Sequence, residues 1–279
     1  MNTQEILKGC TVDGMVVKLP EGQLDRKVYM DVKKHLEGIG GKWKGGKVSG
    51  FVFSHDPNEL LGRVADGEKV NLKKDFQFFG TPDIICDRLV ALARLDIEDR
   101  ILEPSAGDGA ILRAIQRNIS ELIHFPACYE LMPQNRQKLQ EMEYVDVLGE
   151  DFLQDSRGLK FDKIIANPPF TKGQDIEHLR KMYDLLDTEG ILVCITSLSW
   201  MAGTNKKPTE FRNWLCDDED GVAKGFDWNR FSRIGTDAQF LRANQDRVYI
   251  EMLEAGAFKE SGTNVRTAIV VIQRPNLLF

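Results

Sequence analysis

The sequence has few of the residues that hold metals or disulfides, and their spacing suits neither kind of site. Its five cysteines are widely scattered without a CxxC pair, and its four histidines show no ligand spacing. Zinc sites and disulfide frameworks depend on regularly spaced residues of these types. We therefore expect no metal site and no disulfide framework.

Long apolar runs are also missing. No run approaches the roughly 20 residues that a membrane-spanning helix needs, and the amino terminus, MNTQEILKGC, carries no apolar secretory segment. The hydrophobic fraction of 42% and the charged fraction of 29% are ordinary for a globular protein. We therefore expect a cytoplasmic protein without a membrane partner. Its 279 residues suffice for one large α/β domain with a smaller attachment.

An excess of positive charge is missing as well. The net charge is −6, whereas nucleic-acid-binding proteins usually present a basic face. The charge is unevenly distributed, however: residues 217–220 are all acidic, while Lys42, Lys44 and Lys47 surround Trp43. The composition therefore counts only mildly against a nucleic-acid partner, because a local basic patch can exist on an acidic protein.

Residues 1–75 predict a small α+β region. A helical apolar face over 25–37 is followed by glycines that end the helix, and residues 42–53 predict two short strands around a glycine turn. Lys42, Trp43 and Lys44 are candidates for contact with a nucleic acid, because lysines pair with phosphates and an indole ring stacks on bases. The alternative is equally compatible with the pattern: Trp43 belongs to a small core, and the lysines form its solvated edge.

A glycine-rich turn follows the first predicted strand of the remaining chain. That strand ends in the segment Glu103-Pro-Ser-Ala-Gly-Asp-Gly, where Gly107 and Gly109 permit close approach of a ligand to the backbone. A dinucleotide fingerprint requires a third glycine, and Leu112 occupies that position. The segment therefore disfavours NAD.

Two further predicted strands end in acidic residues. Glu130 follows the strand at 125–129, and Asp151 with Phe152 follows the strand at 145–148. A carboxylate in the first position can accept both hydroxyls of a ribose. The second pair can accept from an adenine amine and cover the adenine ring.

The next predicted strand stops at Asn167-Pro168-Pro169-Phe170. Two consecutive prolines fix the backbone direction and supply no N–H donors. The Asn167 amide and the Pro168 carbonyl can together accept both hydrogens of an exocyclic amine, and Phe170 offers a face for a planar base. The motif predicts a site for an amine-bearing base.

The order of these motifs resembles the gamma-type arrangement of the DNA adenine-N6 methyltransferases. The resemblance covers residues 76–275 and includes Phe78-Phe79-Gly80-Thr81-Pro82 ahead of the glycine turn. It implies an α/β fold, with a Rossmann-like seven-stranded methyltransferase sheet that ends in an antiparallel closing hairpin. It also implies S-adenosyl-L-methionine as the cofactor, and an acidic residue beside glycines suits that cofactor's ammonium and sulfonium groups.

The resemblance assigns roles to individual residues. The catalytic residues it implies are Asn167, Pro168, Pro169 and Phe170. The cofactor-binding residues it implies are Phe79, Thr81, Pro82, Glu103, Ser105, Gly107, Gly109, Glu130, Asp151, Phe152 and Asn167. The segment that contains Thr81 would hold the methionine end of the cofactor. Thr81 is also expected to cap the following helix, with Pro82 at the first helical position.

The rest of residues 76–279, the expected catalytic domain, supplies further candidates for nucleic-acid contact. Residues from about 201 to 246 predict an insertion in which Lys206 and Lys207 are candidates; a helical insertion with solvated charges is the alternative. Residues 251–255 predict the end of a helix, and 257–272 predict the two strands of the closing hairpin. In the family that hairpin lines the target-base pocket, so Phe258 is a candidate second aromatic.

Together these motifs predict an enzyme that methylates the N6 amine of a flipped-out adenine in DNA. The alternatives are an RNA adenine-N6 methyltransferase, a DNA cytosine-N4 methyltransferase and a non-catalytic nucleic-acid-binding subunit. Family members commonly carry a target-recognition domain after the closing strands, and this chain stops there. We therefore expect that residues 1–75 and the insertion, or a specificity or restriction subunit, recognise the DNA sequence.

Overall fold

The structure, a computed structural model, describes residues 2–53, 56–72, 80–216, 239–243, 246–259, 261 and 263–274. The chain divides into two compact units, Met1–Phe78 and Phe79–Phe279, which we call the N-terminal unit and the C-terminal unit. Within the described ranges, no helix is both long and apolar enough to cross a membrane. In the same part of the chain, no group of three or more His, Cys, Asp and Glu side chains is arranged to hold a metal ion.

In the part of the N-terminal unit that the structure describes, three helices accompany a four-stranded antiparallel sheet. Its elements are α1 (Thr3–Lys8), β1 (Thr11–Asp13), β2 (Val16–Lys18), α2 (Arg26–Gly38), β3 (Lys42–Lys44), β4 (Gly50–Val52) and α3 (Asn58–Ala65). The strand order is β1-β2-β4-β3. Asp25 caps α2 by accepting from the Lys27 amide at 2.8 Å. Helix α2 and the β3–β4 hairpin lie where the sequence predicts them.

Strand β3 forms one edge of this sheet, with its aromatic side chain on one face and its two lysines on the other. Trp43 lies opposite Phe51, which is fully buried, and their rings meet edge to face at 5.1 Å. Because side chains alternate along a strand, Lys42 and Lys44 lie on the other face. Both lysines are exposed, and the Trp43 side chain is 43% exposed. The aromatic ring thus leans on the core, while the lysines face solvent.

The C-terminal unit is built on one large mixed sheet. Its elements are α4 (Asp83–Ala93), β5 (Ile101–Glu103), α5 (Ala110–Asn118), β6 (Ala127–Tyr129), α6 (Pro133–Gln140), β7 (Asp146–Gly149), β8 (Phe161–Ala166), α7 (Gln174–Leu185), β9 (Leu186–Ser197), α8 (Ser199–Ala202), α9 (Lys206–Cys216), β10 (Gln239–Ala243), β11 (Asp246–Met252) and β12 (Thr267–Gln273). Short 3-10 turns lie at Phe152–Gln154 and Thr171–Gly173.

The strand order is β10-β11-β12-β9-β8-β5-β6-β7. The five strands β5 to β9 pair with one another in parallel. Strand β12 is antiparallel to both β9 and β11. The predicted Rossmann-like sheet with an antiparallel closing hairpin is therefore confirmed. Strand β10, antiparallel to β11, is an eighth strand at the edge of the sheet as the described residues form it.

The sheet is buried on both faces. On one face, Leu102, Ile164 and Ala166 pack with residues of α7 and α9. On the other, Ile101 and Ile165 pack with residues of α4 and α5. This three-layer arrangement explains why the central strands are nearly continuous apolar runs rather than alternating ones.

The predicted helix end at 251–255 is wrong, and the closing hairpin begins earlier than expected. Glu251 and Met252 belong to β11, and β12 starts only at Thr267. Val248 and Ile250 are buried at 1% and 0% exposure because alternate residues of β11 face the core. Pairing with β12 selects the strand, since a short apolar stretch is compatible with either period.

The predicted insertion at 201–246 contributes to the core. Helices α8 and α9 occupy its first part, β10 part of its end, and residues 217–238 lie outside the described ranges. The Phe211 ring on α9 is fully buried, with its centroid 5.2 Å from the Trp200 ring. Helix α9 is therefore part of the helical layer on one face of the sheet and contributes to the core.

Replacing Phe211 by Ala should lower the free energy of unfolding of the C-terminal unit by about 3–5 kcal/mol, because the large ring leaves a cavity. Urea unfolding followed by circular dichroism measures this. Asn213→Ala, on an exposed position of the same helix, is the control and should change stability by less than about 0.5 kcal/mol. Equal effects of the two variants would show that α9 is not part of the core.

Candidate active site

The turn between β5 and α5 is shaped by two glycines. Gly107 and Gly109 have φ values of 58° and 82°, in the left-handed region that side chains disfavour. A Cβ added at Gly109 would lie 2.8 Å from the Met142 Cε atom. Glycine at position 109 therefore leaves room for the Met142 side chain, and the amino end of α5 begins directly after this turn.

Glu103 and Ser105 place polar atoms in this turn that lack partners. Glu103 ends β5 and is 1% exposed. Burial raises the pKa of its carboxyl well above the ordinary value, and the nearby Asp108 and Glu130 raise it further. Among the residues that the structure describes, Glu103 Oε2 and Ser105 Oγ are buried without a hydrogen bond. Buried polar groups are normally paired, so this pair of atoms marks a place for a ligand with donors.

Glu130 joins the glycine turn to the loop after β6. Its carboxylate accepts from the Gly107 amide and from the Met132 amide, each at 2.7 Å. Burial raises its pKa to about 7, although both amide contacts act in the opposite direction. Each carboxylate oxygen has a further lone pair. Glu130 thus positions two loops and can still accept from a ligand.

Asp151 and Phe152 occupy the end of β7 in different ways. Asp151 accepts from the Leu153 amide at 2.9 Å and so caps the 3-10 turn. The Phe152 ring is 2% exposed and lies 5.5 Å from Tyr129 and 5.7 Å from His178, between ring centroids. The ring is therefore part of the core, and its role as a cover for an adenine ring stays a prediction.

Asn167 directly follows β8 and is held by a residue far away in the chain. Its Nδ2 atom donates to Thr81 Oγ1 at 3.0 Å. Pro168 is buried, and the half-buried Phe170 packs against the core on the α4 and α5 side of the sheet. The strand-end amide of the motif is thereby fixed beside the segment that precedes α4.

The predicted helix cap at Thr81 is wrong. Pro82 is the N-cap residue of α4, and no side chain caps this helix. Thr81 precedes the N-cap residue by one position, and its hydroxyl contacts Asn167 instead. Phe79 lies outside the described residues.

The backbone after Phe170 is unusual and is held from α9. Lys172 and Gly173 follow each other with φ values of 57° and 71°, and such a conformation at a non-glycine residue is costly. Lys207 Nζ donates to the Lys172 carbonyl at 2.9 Å and to Glu177 Oε1 at 2.5 Å. Lys207 therefore stabilises this loop.

The predicted nucleic-acid contacts differ in how accessible they are. Lys207 is engaged within the chain, as described above, whereas the Lys206 side chain is 86% exposed and forms an ion pair with Glu210 at 3.7 Å. Phe258 is 2% exposed and lies in the core, so its ring offers no open face to a base in this structure. Of these three, only Lys206 is as accessible as the sequence suggested.

Two polar residues near the motif were not found from the sequence. Asp175, fully buried in the first turn of α7, accepts from the amide and the hydroxyl of Ser197 at 2.9 and 2.8 Å. Ser261 donates to the Gly80 carbonyl at 2.5 Å. An acidic residue at the start of a helix was a signal for Asp175, but Ser261 lies in a loop without any local pattern.

No protein-family model and no curated protein sequence matches this chain. Solved structures do resemble it in fold. One is the methyltransferase subunit of a type I restriction-modification system from Streptococcus thermophilus, at 13% identity and a TM-score of 0.52, covering 81% of this chain and 51% of that one. Another is a candidate class I S-adenosylmethionine-dependent methyltransferase from Listeria monocytogenes, at 10% identity and a TM-score of 0.52, covering 80% and 68%.

A third is the modification subunit of a candidate type I restriction enzyme from Vibrio vulnificus, at 12% identity and a TM-score of 0.51, covering 88% of this chain and 61% of that one. The chain spans about half the length of the Streptococcus subunit. At these identities the likeness is one of fold. The chain therefore has the Rossmann-like fold that these methyltransferases share.

Proposed function

We propose that the C-terminal unit transfers a methyl group from S-adenosyl-L-methionine to the N6 amine of an adenine in DNA. The observation that carries the proposal is the position of Asn167-Pro168-Pro169-Phe170. The motif lies at the carboxyl end of β8, the strand that pairs with β5, and Glu103 is the last residue of β5. Open α/β sheets bind ligands at the carboxyl ends of such strands, where the strand order reverses.

The residues around the glycine turn fit this cofactor. Glu103 Oε2 and Ser105 Oγ are buried without a hydrogen-bond partner among the described residues. The ammonium and hydroxyl groups of a cationic ligand would donate hydrogen bonds to them. Glu130 would accept from the ribose hydroxyls and Asp151 from the adenine amine, beside the turn that contains Gly107. When bound, S-adenosyl-L-methionine supplies an electrophilic methyl group.

Asn167, Pro168 and Phe170 would hold the target base. Asn167 Oδ1 and the Pro168 carbonyl accept the two hydrogens of the amine, which keeps the nitrogen lone pair directed out of the base plane for attack. Phe170 packs on a face of the base. The chain contributes position and hydrogen bonding, after the base has left the duplex at a cost of a few kcal/mol.

The DNA contact that we propose lies on the N-terminal unit. Lys42 and Lys44 are exposed on one face of the edge strand β3, and Lys18 of β2, on the other side of β4, lies close to Gly50 on the same face. Residues 1–78 carry 13 basic and 11 acidic side chains, although the whole chain is acidic. A face of lysines suits the phosphate backbone, and the half-exposed Trp43 ring can stack on a base.

A second protein subunit is also proposed. The Streptococcus and Vibrio neighbours are subunits of restriction-modification systems, and this chain spans 51% and 61% of their lengths. We propose that a specificity or restriction subunit accompanies this chain and recognises the DNA sequence; recognition by residues 1–75 and 201–246 is the alternative.

Methyl transfer from labelled S-adenosyl-L-methionine to genomic DNA, with total RNA in parallel, tests the proposal. Nucleoside mass spectrometry should find N6-methyladenine in DNA. N6-methyladenine only in RNA would identify the RNA enzyme, and N4-methylcytosine in DNA would identify the cytosine enzyme. No label in either polymer would favour a non-catalytic subunit.

Replacing Asn167 by Ala should lower the rate of methyl transfer at least about a hundredfold, because the amine loses an acceptor in the transition state. Cofactor affinity, measured by equilibrium binding, should stay within a few-fold of the wild type. Asn213→Ala is the control and should leave both quantities unchanged. A loss of cofactor binding as large as the loss of rate would contradict the catalytic role of Asn167.

Cofactor affinity should rise with pH across neutrality. Burial holds the pKa of Glu130 at about 7, and only the ionised carboxylate accepts from both ribose hydroxyls. A ligand that prefers the ionised form lowers this pKa and releases a proton. The dissociation constant should therefore increase about tenfold between pH 8 and pH 6. In Glu130→Gln the dissociation constant should no longer increase tenfold between pH 8 and pH 6. The same increase in the variant as in the wild type would exclude Glu130 as the titrating group.

The double variant Lys42→Glu/Lys44→Glu should weaken DNA binding about tenfold or more at moderate salt. The slope of log K against log salt concentration should also fall by about 2, one for each lost phosphate contact. Fluorescence anisotropy with a DNA duplex measures both. Lys27→Glu/Lys34→Glu on α2 changes the net charge equally at exposed positions and is the control. An equal loss of DNA affinity in both double variants would show that net charge, and not the lysines on β3, causes the loss.

A further inference from the structure

The contact between Thr81 and Asn167 joins two parts of the site that the sequence separates by 86 residues. Thr81 precedes α4, and Asn167 ends β8. The amide of Asn167 is a planar group with a donor end and an acceptor end. In the structure the donor end, Nδ2, is paired with the Thr81 hydroxyl at 3.0 Å. The acceptor end, Oδ1, makes no hydrogen bond among the described residues.

This pairing decides what the amide can do to a ligand. An exocyclic amine of a base presents hydrogens, so it pairs with Oδ1 and not with the NH₂ group. When Oδ1 faces the amine, Nδ2 faces Thr81 and requires an acceptor there. The Thr81 hydroxyl has two lone pairs for it. Without that oxygen, the productive orientation leaves a half-buried N–H unpaired, which makes it less favourable.

Thr81 is itself fixed on both sides. The carbonyl of Gly80 accepts from Ser261 Oγ in the loop between β11 and β12. The carbonyl of Thr81 accepts from Cys86 Sγ at 3.5 Å, one turn into α4. Pro82 restricts the backbone that follows. The hydroxyl therefore occupies a set position relative to the end of β8.

We propose that Thr81 is a positioning residue that orients the Asn167 amide, with Nδ2 on its hydroxyl and Oδ1 toward the amine of the target base. The inference rests on the proposed function of Asn167 as the acceptor of that amine. It assigns Thr81 a task on the substrate side of the site. The resemblance to the methyltransferases gives its segment a task on the cofactor side.

Thr81→Val in the full chain tests the assignment, because valine keeps the shape and removes the acceptor. The kcat of methyl transfer to DNA should fall about 10- to 100-fold, while the dissociation constant of S-adenosylhomocysteine stays within about twofold. Thr81→Ser, which keeps the hydroxyl, should recover most of the lost rate. Thr188→Val, at an exposed position on β9, is the control for a Thr-to-Val change.

A second measurement does not need turnover. The side-chain NH₂ resonances of Asn167, assigned by their loss in Asn167→Ala, should shift and exchange faster with solvent in Thr81→Val. They should return toward the wild-type values in Thr81→Ser. Unchanged resonances in Thr81→Val would overturn the proposal, even if the wild type transferred no methyl group and the proposed function itself had failed.

The kinetic outcomes separate the two tasks of the segment. An active wild type with an equally active Thr81→Val variant would overturn the orienting role and leave the proposed function intact. A parallel loss of kcat and of S-adenosylhomocysteine affinity would assign Thr81 to the cofactor instead. A loss of kcat alone, with recovery in Thr81→Ser, supports the orienting role.

Discussion

The parallel pairing of β5 with β8 is the constraint on which the candidate site depends. Ile101 pairs with Lys163 and Leu102 with Ile164, so both strands end at the same edge of the sheet. The helix after β5 packs on one face of the sheet, and the helix after β8 packs on the other. The two connections therefore diverge at this edge, which is where open α/β sheets bind ligands. The residue that ends each strand lies at that edge.

Much of this arrangement could be predicted because its signals are local. An apolar run that stops at two prolines defines the end of β8 without reference to any other part of the chain. The same holds for the glycines after β5, whose backbone angles only glycine adopts easily, and for the turn between β3 and β4. Strand ends, and hence the residues presented at the edge of the sheet, follow from such signals.

The rest depends on partners that are distant in sequence. The sequence predicts that the Thr81 hydroxyl caps the helix that follows it. In the fold the hydroxyl accepts a hydrogen bond from Asn167, which only the packing of the sheet brings close to Thr81. Lysine is a residue type that contacts phosphates, which is why the sequence made Lys207 a candidate. In the fold its Nζ atom donates instead to the Lys172 carbonyl and to Glu177. Residues 251–252 fit either a helix or a strand, and β12 decides between them. Local propensity is a weak guide wherever tertiary contacts compete.

The position of β12 has a consequence for the order in which the C-terminal unit forms. This strand, Thr267–Gln273, lies between β9 and β11, although both precede it in the chain. During synthesis, which proceeds from the amino end, β9 and β11 have no native partner along these edges until residue 273 has left the ribosome. Two unpaired edges are open to other chains in that interval. The sheet is thus completed by insertion of a strand into its middle, and that step covers the facing edges of β9 and β11.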